Sequence, residues 1–220
     1  MTFKELFSLT FKYVYAFRLQ LSKALLVPFI LSILLDIIPF FWSSFLISII
    51  NMGLSLMIQT IFAVTTHRMI LLGPSHVPTW GIMKWSIRET VFIFHVVALA
   101  LIIFLCTLIM HIPIIGTLIF FVLVFLYLVL LLPRLSLVFP AIAVGDRCSF
   151  KNSWFVTKNY HKLMFFSIIL IPLIVSIPAI LIRNIPYTFL IVSILTNVTT
   201  VVGVASLSLS YKYILKEFSA

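Results

Sequence analysis

Nineteen consecutive residues from Ile114 to Leu132, IIGTLIFFVLVFLYLVLLL, carry no charge and present an apolar surface in every direction. As a helix such a run rises roughly 28 Å, close to the ~30 Å hydrocarbon core of a bilayer. Similar runs occupy Ala24 to Trp42, Phe45 to Val64, Thr90 to Met110, Leu163 to Ile182 and Pro186 to Leu209, each 19 to 24 residues long, with Asp36 the one ionisable side chain of the acidic type inside them. Six transmembrane helices are therefore expected, because a lipid-embedded segment must satisfy its own backbone hydrogen bonds. A β-barrel is excluded, since its strands would be about 10 residues long and alternate in polarity. The composition agrees: 63% hydrophobic and 9% charged, against about 45–50% and 25% in soluble domains, with a mean hydropathy of +1.28. The expected fold is an all-α integral membrane protein, with a single six-helix domain over residues 24–212, an amphipathic interfacial segment over 1–23 and a tail over 213–220.

Cations set the expected orientation, because positive loops stay cytoplasmic. Lys4, Lys12, Arg18 and Lys23 precede the first span; Arg68, Lys84 and Arg88 follow the second; Arg134, Arg147, Lys151, Lys158 and Lys162 follow the fourth; Lys212 and Lys216 follow the sixth. These are 14 of the 15 cations, and Arg183 alone falls on the other side. Both termini are thus expected in the cytoplasm. The net charge of +10 is accounted for by this bias and by contact with anionic headgroups, so no nucleic-acid partner is expected.

The N-terminal stretch resembles a signal peptide only superficially. Phe3, Phe7, Thr10, Val14 and Phe17 share one helical face and Lys4, Ser8, Lys12 and Tyr15 another, as in an interfacial helix. Bulky Pro39, Phe40, Phe41 and Trp42 stand where a cleavage site would need small residues. Cys106 and Cys148 are expected on opposite sides of the bilayer, beyond disulfide reach.

The two longer cytoplasmic loops share a plan: each follows a helix ending in Arg (Arg68, Arg134), continues to a Gly (Gly73, Gly145) and enters a basic amphipathic segment. This parallel marks a weak internal repeat of spans 2–3 in spans 4–5. In the second loop Ser149 is a candidate N-cap, Lys151, Lys158 and Lys162 share a face, and Trp154, Phe155 and Tyr160 fit headgroup depth. A helix lying on the inner surface is expected there, with Lys151, Trp154, Lys158 and Lys162 contacting lipid.

The stretch from Arg134 to Leu170 resembles a bacterial six-helix inner-membrane family that includes the membrane domain of some glycerophosphodiester phosphodiesterases. The resemblance rests on Arg134, Phe139-Pro140-Ala141, Ser153-Trp154, Thr157-Lys158 and the THRMILLG segment from Thr66 to Gly73. It implies a fold and a bacterial inner-membrane location. It implies no activity, because the phosphodiesterase catalytic domain has no counterpart in this sequence.

Polar side chains inside spans are candidate functional groups, since each is costly in hydrocarbon unless paired or hydrated. Asp36 shares a face with Pro28, Ser32 and Pro39 and reads either as a proton or cation site or as a carboxyl near the outer interface, with Arg183 a candidate partner. His95 reads as a packing histidine or a proton relay. Ser44, Ser48, Asn51, Ser55 and Gln59 form one stripe on the second span; Ser193, Thr196, Thr200, Gly203, Ser206 and Ser210 form another on the sixth, beside Asn197. The stripes read as helix-packing surfaces whose polar groups bond across helices, or as the lining of a solute route.

No enzymatic motif stands out. Five acidic residues offer no poised carboxylate pair, and P-loop, G-x-S-x-G, H-E-x-x-H and C-x-x-C patterns are absent from the sequence. His67, His76, His161, Cys148 and Asp146 follow no metal-ligand spacing, so neither metal nor cofactor is expected. The expected function is that of a non-enzymatic accessory or scaffold protein acting through lipids or a membrane-protein partner. The alternative is a small permease for a lipid-related or hydrophobic solute that uses Asp36 and the stripes.

Overall fold

The computed structural model of the 220-residue chain describes residues 1–42, 44–78, 80, 85–112, 115–146 and 148–218. Ile114, where the fourth span was expected to begin, and the cations Lys84 and Arg147 lie outside the described residues. Every regular element among the described residues is helical. Six helical stretches are long and apolar enough to cross a membrane: Arg18–Pro39, Phe45–Leu72, Ile87–Ile109, Gly116–Val144, Phe150–Ile182 and Phe189–Glu217. The fold is that of a six-span α-helical membrane protein.

Local sequence explains where the helices begin and end. Helix α1 (Phe3–Ala16) opens on a capping box in which the Thr2 hydroxyl accepts from the Glu5 N–H and the Glu5 carboxylate accepts from the Thr2 N–H. After a bend at Phe17, α2 (Arg18–Phe41) forms the first span. Helix α3 (Phe45–Leu72) is capped by the Ser44 hydroxyl and ends at Gly73, whose φ of +91° is open to glycine. Ser86 and Glu89 form a second capping box at the head of α4 (Ile87–Ile109). The fourth span joins α5 (Gly116–Leu126), a π-helical turn (Tyr127–Leu131), α6 (Leu132–Leu135) and α7 (Val138–Val144). The fifth joins α8 (Phe150–Val156), a 3₁₀ turn, α9 (His161–Phe165), a second π-helical turn (Phe166–Leu170) and α10 (Ile171–Ile182). The sixth is α11 (Phe189–Phe218).

Both π-helical turns sit just ahead of a proline, Pro133 and Pro172. Proline has no N–H to donate and crowds the carbonyl four residues back, so the helix shifts register instead of breaking. In the second turn the freed Ser167 carbonyl accepts from the Ser206 hydroxyl of α11 at 2.7 Å.

Packing is uneven along the bundle. Leu6 of α1, Ile70 of α3, Leu137 and Ala141 of α6–α7, Met164 of α9 and Val202, Ala205 and Ile214 of α11 form one buried cluster at the end that carries the cations. Toward the opposite end α4 and α5 leave Leu101, Phe104, Leu118 and Phe121 exposed, an arrangement suited to lipid. The Met1 amine donates to the Tyr213 hydroxyl at 3.1 Å, which brings the first and last helices together at the cationic end.

Two expected boundaries move. Span 2 continues past Val64 to Leu72, because Thr65, Thr66 and His67 are buried inside the bundle and not in a loop. The helix expected from Phe150 is present as α8, its Ser149 cap accepting from the Asn152 N–H, and a 3₁₀ turn over Thr157–Tyr160 separates it from α9 and the rest of span 5. Residues 1–23 and 213–218, read as an interfacial segment and a tail, supply Leu6 and Ile214 to the core, each 0% exposed.

Candidate functional site

At the cationic end two arginines hold main-chain carbonyls. Arg68 of α3 donates through Nε and Nη2 to the His76 carbonyl at 3.1 and 3.0 Å and through Nη1 to the Ala143 carbonyl at 3.3 Å, tying the loop after α3 to the end of α7. Arg134 of α6 lies over the Trp154 ring at 3.7 Å and donates to the Trp154 carbonyl at 3.3 Å. In return the Arg134 carbonyl accepts from Ser153 at 2.6 Å and Thr157 at 3.1 Å. Arg134, Ser153, Trp154 and Thr157, residues that carried the family resemblance, thus form one latch that binds α8 to α6. Trp154 is half-buried against Arg134, whereas Lys151, Lys158 and Lys162 are exposed. The lysine spacing was legible in the sequence; the buried role of the Trp ring was not, because it depends on a guanidinium 20 residues earlier.

Beside this end α2 diverges from α11 and leaves an apolar groove of about 330 Å³. Leu21, Leu25 and Phe29 of α2, Phe62 of α3 and Val198 and Val201 of α11 line it. Arg18 stands at its mouth, exposed, with its guanidinium over the Tyr15 ring at 4.0 Å and one N–H on the Tyr15 carbonyl. Asn197 borders its deep end. No charge pairs with Arg18 among the described residues.

Above the groove α2 and α11 meet through an antiparallel polar ladder. Asn197 Nδ2 donates to Ser32 Oγ at 3.3 Å, and Ser193 Oγ donates to Asp36 Oδ2 at 2.5 Å. Asn197 also donates to the Ser193 carbonyl of its own helix at 3.0 Å. Asp36 borders a second cavity, of about 500 Å³, together with Ser176 and Arg183 of the α10 end and Phe189, Ser193 and Thr196 of α11. Asp36 and Arg183 therefore share a cavity, as the sequence allowed, but no ion pair joins them.

The remaining candidates are less engaged. His95 donates from Nδ1 to the Val91 carbonyl at 2.9 Å and packs its ring on Phe150 at 4.7 Å, a packing arrangement within its own helix and against α8. Asn51 and Gln59 are half-buried, and the Asn51 Oδ1 has no hydrogen-bond partner among the described residues, contrary to the expected interhelical bond. Ser44 and Ser48 are exposed, so the stripe on α3 enters the interior only in its lower part. On α11 Ser193, Asn197, Ser206 and Ser210 are buried, while Thr196 faces the Asp36 cavity and is bonded to its own backbone. Sequence reading weighed His67 only for metal binding beyond the end of its span, whereas it is 1% exposed inside the bundle and bonded to Ser208 at 2.8 Å.

Cys106 and Cys148 are free. Cys148 lines an open cavity with Arg88, Asp146 and Asn152; burial, and then the neighbouring Asp146 carboxylate, push its thiol up from the ordinary range. Among the described residues no three His, Cys, Asp or Glu side chains gather in a metal-binding group.

The class defined by this architecture is a six-span α-helical membrane protein with a latched cationic end. No protein-family model, curated protein or solved structure matches the chain.

Proposed function

We propose that this chain is a non-catalytic multi-pass protein of a bacterial inner membrane, with both termini cytoplasmic, that acts as an accessory or scaffold protein through anionic lipid headgroups and a membrane-protein partner. The observation that carries the reading is the α2–α11 groove with Arg18 at its mouth. An apolar crease inside hydrocarbon attracts an acyl chain, since an unfilled one forfeits dispersion contacts on one side. The exposed guanidinium then selects a phosphate-bearing headgroup by charge. Lys151, Lys158 and Lys162 are also exposed and offer further positive charge to headgroups. The resemblance to the six-helix family supports the compartment and leaves the role open.

Lipid mass spectrometry of protein purified in mild detergent tests this reading. Anionic phospholipid should be retained, and Arg18→Gln or the groove-filling Val198→Trp should reduce its retention several-fold. Retention of anionic lipid left unchanged by both variants would remove the lipid half of the reading. The Asp36 cavity favours a second reading, a small permease. In that case Asp36→Asn would abolish a solute-dependent phenotype that neutralising Lys151, Lys158 and Lys162 leaves intact.

A further inference from the structure

The cavity at the far end of the bundle holds two opposite charges that do not touch. Asp36 projects from α2 and is held on the α11 side by Ser193, which is 5% exposed and donates to Oδ2. Arg183 lies across the cavity where α10 ends. Between them are the hydroxyl residues Ser176 and Thr196 and an apolar wall that includes Ile180 and Val192. Both residues are exposed, and neither is ion-paired with an opposite charge among the described residues.

The depth of this cavity says what can fill it. Asp36 lies one and a half turns before the end of α2, where Phe41 and Trp42 are exposed, 72% and 60% respectively; Tyr187, in the turn between α10 and α11, is 96% exposed. Exposed aromatics of this kind mark headgroup level. A ligand that satisfies both charges carries an ammonium for Asp36 and an anionic group for Arg183, with an apolar body for the side wall.

We propose that the Asp36–Arg183 cavity binds the zwitterionic aminoethyl-phosphate headgroup of a phospholipid, with its ammonium on Asp36 and its phosphate on Arg183. Discrimination follows from charge: an anionic glycerol headgroup satisfies Arg183 but leaves Asp36 facing a like charge. The site lies at the end of the bundle opposite Arg18 and goes beyond the lipid contact proposed there.

The test uses the full chain in nanodiscs containing equal amounts of phosphatidylethanolamine and phosphatidylglycerol, with retained lipid measured by native mass spectrometry. An ethanolamine lipid should be retained, and Arg183→Gln should lower its retention about tenfold, the effect of losing one charge-assisted contact. Asp36→Asn should shift retention toward the anionic lipid, because the cation is then alone. Arg18→Gln should leave the ethanolamine lipid in place, so failure at one end is distinguishable from failure at the other. Should Asp36→Asn fail to accumulate, Arg183→Gln carries the test, since its side chain holds no described helix contact by hydrogen bond. Unchanged retention in Arg183→Gln would overturn the proposal. Displacement of the lipid by free phosphoethanolamine, with no preference left between the two lipids, would overturn the lipid assignment in favour of a soluble zwitterion.

Discussion

Asn197 and Asn51 have the same side chain on two packed helices and opposite circumstances. Asn197 donates to Ser32 and to the Ser193 carbonyl, whereas Asn51 keeps a buried, unpartnered Oδ1 among the described residues. Asn197→Leu should therefore destabilise the bundle by about 1–2 kcal/mol, from lost bonds and a stranded Ser32 hydroxyl. Asn51→Leu should be neutral or stabilising, since it removes an unsatisfied buried acceptor. Thermal unfolding in detergent, followed by size-exclusion chromatography, separates the two outcomes. Cys148 offers a pH-dependent test outside the spans. Burial first and Asp146 second disfavour its thiolate, so alkylation of Cys148 should accelerate only at a pH above the ordinary thiol range. Asp146→Asn removes a negative neighbour, lowers that pH and should speed alkylation at pH 8; a slower reaction would contradict the electrostatic account.

Among the helical elements, proline-linked π-helical turns and a small residue on the facing helix set how α10 and α11 pack. A Cβ on Gly203 would come 3.0 Å from Pro172 Cγ, on a ring that cannot swing aside. Gly203→Ala should be mildly destabilising and Gly203→Val strongly so, by about 1–3 kcal/mol from overpacking. Ser206→Ala, which strands the Ser167 carbonyl released by the π-helical turn, should cost about 1 kcal/mol. Comparing protein yield and thermal stability for these variants checks both. The parallel between the two loops also has a physical form at this scale. Arg68 near the end of the second span and Arg134 in the second half of the fourth both donate to a carbonyl later in the chain. The polar stripes were legible as helical spacing, but their exposure was not. Ser48 and Ser206 satisfy the same periodicity, and only the path of neighbouring helices leaves one exposed and the other 0% exposed.

For the whole molecule, the proposed orientation predicts that a reporter fused after Lys216 reads cytoplasmic and that one inserted between His111 and Gly116 reads the far side. Protease protection in oriented vesicles would check the pair independently, and a C-terminal reporter on the far side would contradict the proposed topology. Six spans were legible in the sequence because hydrocarbon demands long uncharged helices, a requirement that each segment meets by itself. The grouping of cations was legible for the same reason, since charge distribution along the chain needs no knowledge of neighbours. The tertiary structure decided which polar residues were buried, how far the helices extended and what shared a cavity. His67 lengthens a span because Ser208 is opposite it, Trp154 is drawn inward by Arg134, and Asp36 meets Arg183 across a cavity built by three helices. Hydropathy sums a residue's own affinity for lipid, whereas burial of a polar group depends on a partner distant in the chain, and that partner is supplied only by the packed bundle.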